Sequence, residues 1–168
     1  MVEEGYRQWY QVELWLRDAS LLGGGGLVGL GWLTQEQLGR CREARLKAVR
    51  ESFGPSDFQH DVFRQLKGLE GSLAGLSVKG MEVLDQVDGV FLIDIVAEYQ
   101  GQLLAIEVDG PTHFLAPDQH VTSDTLYRKR ALQARGYRVL GVPYFEWGRL
   151  RGADAKQQWL KQQLARAI

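Results

Sequence analysis

Three carboxylates fall inside otherwise apolar runs in the middle of the chain. Asp94 interrupts VFLIDIVAEY, and Glu107 and Asp109 interrupt LLAIEVDG. An acid in such a strand is costly to bury unless its charge is compensated. A two-residue loop at Gln100-Gly101 would pair Tyr99 with Gln102, and counting back along both strands then sets Asp94 opposite Glu107. Opposed residues in an antiparallel pair share a face, with Cβ atoms about 5 Å apart. Asp109 joins that face by the strand period of two, leaving Leu104, Ile106 and Val108 on the other. A one-residue slip of register would separate the three acids.

Three like charges on one face require a proton, a cation or a basic neighbour. The residue types leave two solutions open. Hard oxygen ligands at this spacing suit Mg²⁺ or Mn²⁺, which keep positions for water and phosphate oxygens and can activate water against a phosphodiester. Alternatively, Arg128, Lys129 or Arg130 from the following helix neutralises the acids without a metal. Gly110-Pro111 forces a sharp exit from the strand and holds His113 near Asp109, where an imidazole could shuttle a proton, contact a phosphate or ligate a metal.

The densest positive charge follows directly, in Arg128, Lys129, Arg130, Arg135 and Arg138. Such a cluster fits phosphate contacts, which dominate nucleic-acid affinity without reading sequence. Tyr127, Tyr144, Phe145 and Trp147 lie close by in sequence. If exposed they could stack unpaired bases, but Phe145 and Trp147 are expected in the core. From Val121 onward ten Lys and Arg face three acids, whereas the preceding residues carry ten bases against eighteen acids. The overall charge of −1 therefore conceals a basic carboxyl-terminal end, which points to a polyanionic partner.

The elements that must position these groups change texture near Gly80. Upstream, Tyr6–Ala19 places Tyr6, Trp9, Tyr10, Glu13 and Leu16 at helical spacing, with Trp15 near the same face. Gly23–Gly26 and Gly29 break the chain there, and Thr34 with Gln37 makes a capping box for a helix to about Arg50. Ser56 with Gln59 makes a second box for a helix to about Leu69. Downstream, Met81–Val87, Val90–Tyr99 and Leu103–Asp109 read as strands. A helix over Ser123–Arg135, a strand over Tyr137–Val142 and a last helix capped by Asp154 with Gln157 follow. This order predicts an α/β fold, a mixed sheet flanked by helices, over residues 80–168, behind a helical extension over residues 1–79.

Hydrophobic and charged fractions of 45% and 24% are those of a globular protein, and Cys41 has no partner for an internal disulfide. No apolar run approaches the roughly 18 residues that would span a bilayer, so no membrane partner is expected. The opening MVEEGYRQWY is acidic where a targeting peptide would be basic, so an organellar address is expected to lie outside this sequence.

IEVDGPTHF followed by TLYRKRALQARGYRVLGVPYFEW resembles the RAP domain, an RNA-binding domain abundant in apicomplexan parasites. That domain also ends FAST kinase-related mitochondrial proteins and octotricopeptide-repeat proteins of chloroplasts. The resemblance covers roughly Asp94 to Leu164, and YRQWYQVELWL with the helix at Ser56 looks like the segment preceding the domain. RAP domains are in turn similar to very-short-patch-repair endonucleases and other PD-(D/E)xK enzymes, which implies a restriction-endonuclease-like sheet.

The resemblance implies an RNA-binding domain of organellar RNA processing, in mitochondrion or chloroplast, acting as a Mg²⁺- or Mn²⁺-dependent endoribonuclease. Asp94, Glu107 and Asp109 would hold the metal, His113 would complete the catalytic set, and Arg128, Lys129, Arg130, Arg135, Arg138 and Tyr127 would bind RNA. The implied partners are a single-stranded or precursor transcript and other organellar RNA-processing proteins. Asp109 stands where the nuclease relatives usually place lysine. The alternative implied is a catalytically inactive module that captures an RNA end or a partner.

Overall fold

A computed structural model describes residues 3–21, 31 and 33–168. The Gly23–Gly26 run and Gly29 lie outside them. The chain divides into two compact units, Met1–Phe53 with Leu84–Leu92, and Gly54–Val83 with Ile93–Ile168.

In the first unit, helices α1 (Glu3–Leu21) and α2 (Gln35–Glu51) pack on each other. Thr34 and Gln37 form the expected reciprocal capping box of α2. The buried stripe of α1 is Tyr10, Glu13, Leu14 and Asp18, whereas Trp15 is exposed, off the face assigned to it by spacing. Residues 85–91 form a loop around Asp85, whose carboxylate accepts from the N–H groups of Val87, Asp88 and Phe91. That loop replaces the end of the strand expected over Met81–Val87, because a carboxylate that gathers three backbone donors stabilises a turn instead.

The second unit is built on a four-stranded mixed sheet. Its strands are β1 (Leu76–Leu84), β2 (Leu92–Tyr99), β3 (Gln102–Asp109) and β6 (Arg138–Pro143), in the order β1-β2-β3-β6. Strand β1 starts earlier than the apolar run indicated, because Leu76 and Val78 already alternate inward ahead of Gly80. β2 and β3 are antiparallel, with Tyr99 opposite Gln102 and Ile95 opposite Ile106. Their turn places both Gln100 and Gly101 at positive φ, the backbone of a type I′ hairpin, whose twist matches that of paired strands. β3 and β6 are parallel, with Glu107 beside Gly141 and Asp109 beside Pro143. The connection between them contains a 3₁₀ turn (Pro111–His113), a ribbon of β4 (Phe114–Leu115) and β5 (His120–Val121), and helix α4 (Ser123–Ala134).

One apolar core fills this unit. It gathers Val62, Leu66 and Leu69 from α3 (Asp57–Leu69), Ile95, Leu104, Ile106 and Val108 from the sheet, Trp147 from α5 (Tyr144–Trp147), and Leu160 and Leu164 from α6 (Gly152–Ala167). Leu104, Ile106 and Val108 therefore point as their alternation required, into the core and away from the acid face. Ser56 and Gln59 form the second predicted capping box, a device that contributes about 1 kcal/mol. Asp61 ties α3 to α5 and α6 by accepting from Trp147 Nε1 at 2.9 Å and Lys156 Nζ at 2.6 Å. Burial would raise the Asp61 pKa, but the Lys156 and Trp147 hydrogen bonds outweigh it and hold the carboxyl below its usual value.

Two local expectations are corrected. Asp154 does not cap α6: the helix begins at Gly152 behind an extended Arg151, which puts Asp154 in the first turn, where its charge favours the helix dipole. The one-turn helix α5 and the two-residue strands β4 and β5 were not anticipated, being too short to carry a period. No described helix is long and apolar enough to cross a membrane.

Candidate functional site

The paired register of the hairpin ends at Ile95 and Ile106, one step short of Asp94 and Glu107. Asp94 uses its carboxylate to extend the ladder, accepting from the Val108 N–H at 2.8 Å. Its second oxygen accepts from Gln59 Nε2 at 2.9 Å. Gln59 is the same side chain that closes the capping box of α3, so one amide both starts that helix and fixes the first acid of the cluster. The reach of Gln59 to Asp94 is not legible in sequence, since the two lie 35 positions apart.

Asp109 lies over Gly141 of the neighbouring strand, where an added Cβ would stand 2.7 Å from Asp109 Oδ2. Glycine at that position leaves room for the acid, which a larger residue would push aside. His113 sits at the rim, with Nδ1 3.5 Å from Asp109 Oδ1 and 3.1 Å from the Thr125 hydroxyl of α4. Thr125 also meets the hydroxyl of Thr122, the N-cap of α4, so the histidine is anchored to the start of that helix.

The predicted convergence is therefore present, and so is a neutralising cation. Arg128 reaches from α4 to Glu107 with two donors, Nε to one oxygen and Nη2 to the other at 3.2 Å. Arginine suits this position because its planar fork matches a carboxylate bidentately and stays charged when buried. Burial lowers the Arg128 pKa, but the charges of Glu107, Asp94 and Asp109 reverse that and raise it. Burial, reinforced by the Glu107 charge, pushes Asp94 up to about 6. Burial again, with Glu107 and Asp94 adding to it, pushes Asp109 up to about 7, against the opposing charges of Arg128 and Lys129. Burial also lowers His113, which favours its neutral form at neutral pH.

The basic residues divide by side. Arg128 is spent on Glu107, and Arg135 is buried, donating to the Ala131 carbonyl as it closes α4. Lys129, Arg130 and Arg138 are exposed, and Tyr127 is half-buried. Trp147 is core as expected, whereas Phe145 is half-buried against Phe114 and Tyr144.

The carboxylates have the oxygen chemistry of a Mg²⁺ or Mn²⁺ site, but as arranged they do not fit the ion. Both Glu107 oxygens face Arg128, and Asp94 already accepts from Gln59 and the Val108 N–H. Among the described residues no three His, Cys, Asp or Glu side chains stand as a ligand group. Of the three cations weighed from sequence, Arg128 is the one that pairs with Glu107.

Residues 106–163 match the family model of the RAP domain. The resemblance drawn from IEVDGPTHF and the basic helix is thereby borne out, and the matched segment includes Glu107, Asp109, His113 and Arg128 but not Asp94 or Gln59. The chain is 27% identical over 84 residues, half of its length, to FAST kinase domain-containing protein 3, mitochondrial, of Homo sapiens. It is 31% identical over 67 residues, 39% of its length, to FAST kinase domain-containing protein 1, mitochondrial, of Mus musculus. It spans only 13% and 8% of those two relatives. Both bear mitochondrial names, and the chloroplast part of the expectation gains no support from them.

Proposed function

We propose that this chain is an RNA-binding module acting in mitochondrial RNA processing, in which the acid cluster is a closed, arginine-neutralised centre. The observation that carries the reading is the division of the basic residues. Arg128 and Arg135 face inward and build the fold, while Lys129, Arg130 and Arg138 face solvent on α4 and at the start of β6. Three outward cations on one helix and the strand that follows it suit phosphate contacts, and RNA is the partner that a RAP-like segment makes most natural.

Replacing Lys129, Arg130 and Arg138 together by alanine is expected to weaken single-stranded RNA binding. Three phosphate contacts correspond to a salt slope reduced by about 2. Titrations across a range of salt concentrations measure it, and an unchanged slope would remove these residues from the interface.

A second reading, a divalent-metal endoribonuclease, is favoured by the meeting of Asp94, Glu107 and Asp109 on one face. It requires Arg128 to leave Glu107. Under the first reading, incubation of RNA with the chain and Mg²⁺ or Mn²⁺ gives no cleavage. Cleavage that Asp94→Ala and Glu107→Ala both abolish would install the second reading in its place.

A further inference from the structure

The loop between β3 and α4 and the helix after β6 bring together three aromatic rings that neither the acid cluster nor the cationic face uses. Phe114, Tyr144 and Phe145 stand pairwise in contact, with ring centroids 5.9 Å, 5.1 Å and 5.4 Å apart. The ribbon beneath them pairs Phe114 with Val121 and Leu115 with His120. This is not core: Leu115 is 57% exposed, Val121 39% and Tyr144 36%. Phe114 is the residue after His113, and Tyr144 is the residue after Pro143, which stands beside Asp109. The patch therefore forms the lip of the carboxylate cluster. Just after the short helix that carries Tyr144 and Phe145, the Arg149 N–H donates to the Glu146 carbonyl, and Arg149 and Arg151 are both exposed.

We infer that this aromatic lip is a stacking platform for an unpaired nucleobase, so that the module takes single-stranded RNA in preference to duplex. The inference rests on the RNA-binding reading and specifies it. The exposed Tyr144 ring, held by a perpendicular contact with Phe145 and a tilted one with Phe114, is pre-positioned, so a planar ligand gains contact at little cost in side-chain ordering. The charges decide which ligand. Phosphates are drawn to the exposed arginines, which leaves the uncharged base as the part of a nucleotide that fits over Tyr144. Bases within a duplex are already stacked on one another, so only an unpaired base can offer its face. Base–aromatic stacking tolerates any base, so the platform gives strand-type preference rather than sequence preference.

Fluorescence anisotropy with the whole chain tests this, using a short labelled single-stranded RNA, the same RNA annealed to its complement, and an abasic ribose-phosphate strand of equal length. The wild-type protein is expected to bind the single strand best. Tyr144→Ala should lose about 5- to 150-fold of that affinity, while Tyr144→Phe retains it. The abasic strand, which needs no protein variant and so is independent of folding, should bind with a similar loss. Equal binding of all three nucleic acids, with a normal salt dependence and no effect of Tyr144→Ala, overturns the platform and leaves the RNA-binding reading standing. No binding to any of them overturns both. Self-association that Tyr144→Ala abolishes, with RNA affinity intact, would assign the patch to a second copy of the chain and also overturn the inference.

Discussion

Arg128→Ala is expected to destabilise the second unit by about 3–5 kcal/mol at neutral pH. Arg128 makes two hydrogen bonds to Glu107, and its charge also acts on Asp94 and Asp109. Without it, a buried carboxylate loses its partner while two further acids repel it. That is the case in which breaking an ion pair costs far more than the pair contributes, because the surviving charge stays desolvated. The loss should depend on pH. Protons can take over from the guanidinium, so the defect is largest near pH 8 and shrinks toward pH 5, where Asp94 and Asp109 are protonated. Arg128→Lys should recover only part of the loss, since a compact ammonium cannot reach both oxygens in a fork. Urea unfolding followed by tryptophan fluorescence at both pH values measures this. A loss below about 1 kcal/mol, equal at both, would show that something else neutralises the cluster.

The second large effect has the opposite sign. Asp109→Asn is expected to raise stability at pH 8 by on the order of 3 kcal/mol and to flatten the pH profile between 5 and 8. The folded chain holds Asp109 at about 7, well above its ordinary value of 3.8, so between those limits the native state binds more protons than the unfolded chain. Stability contributed by such a group is present at low pH and lost as pH rises toward 7 and beyond. The wild type should therefore become more stable on acidification from pH 8 to about 5. His113 works against this. Its lowered pKa means that the unfolded chain takes up the imidazole proton first, which destabilises the native state as pH falls below about 6.5. Asparagine keeps the shape over Gly141 while removing the like charge, so the variant isolates the carboxyl contribution. A thermal midpoint at pH 8 that falls in Asp109→Asn would mean that the ionised carboxylate is needed for folding.

The two effects together describe a centre in which one arginine and about one proton share the charge of three acids. Such a centre suits the proposed binding module, whose affinity would come from cations elsewhere on its surface. In that proposal the exposed Lys129, Arg130 and Arg138 would supply general attraction for phosphate, and the aromatic lip would distinguish single from double strand.

Much of this arrangement was already written in local sequence. The capping boxes at Thr34 and Ser56 are closed within four residues, and the hairpin at Gln100-Gly101 fixes its own register through the positive φ of two adjacent residues. From that register the meeting of Asp94, Glu107 and Asp109 follows by counting, because side chains alternate along a strand that carries no bulge. The direction of Leu104, Ile106 and Val108 follows in the same way.

What the tertiary structure alone decided is how those acids are neutralised. Arg128, Lys129 and Arg130 are consecutive on a helix that lacks a pronounced apolar stripe, so nothing local says which of them turns inward. Packing of α4 beside β6 sets that rotation and delivers Arg128 to a glutamate 21 residues earlier, leaving its two neighbours in solvent. The same holds for Gln59 reaching Asp94, for Gly141 making room for Asp109, and for the burial of Arg135. Sequence determines the spacing of groups along an element, since that is set by backbone geometry within a few residues. Which charge meets which is set by the relative rotation of elements, and that is fixed only when the shared apolar core closes between them.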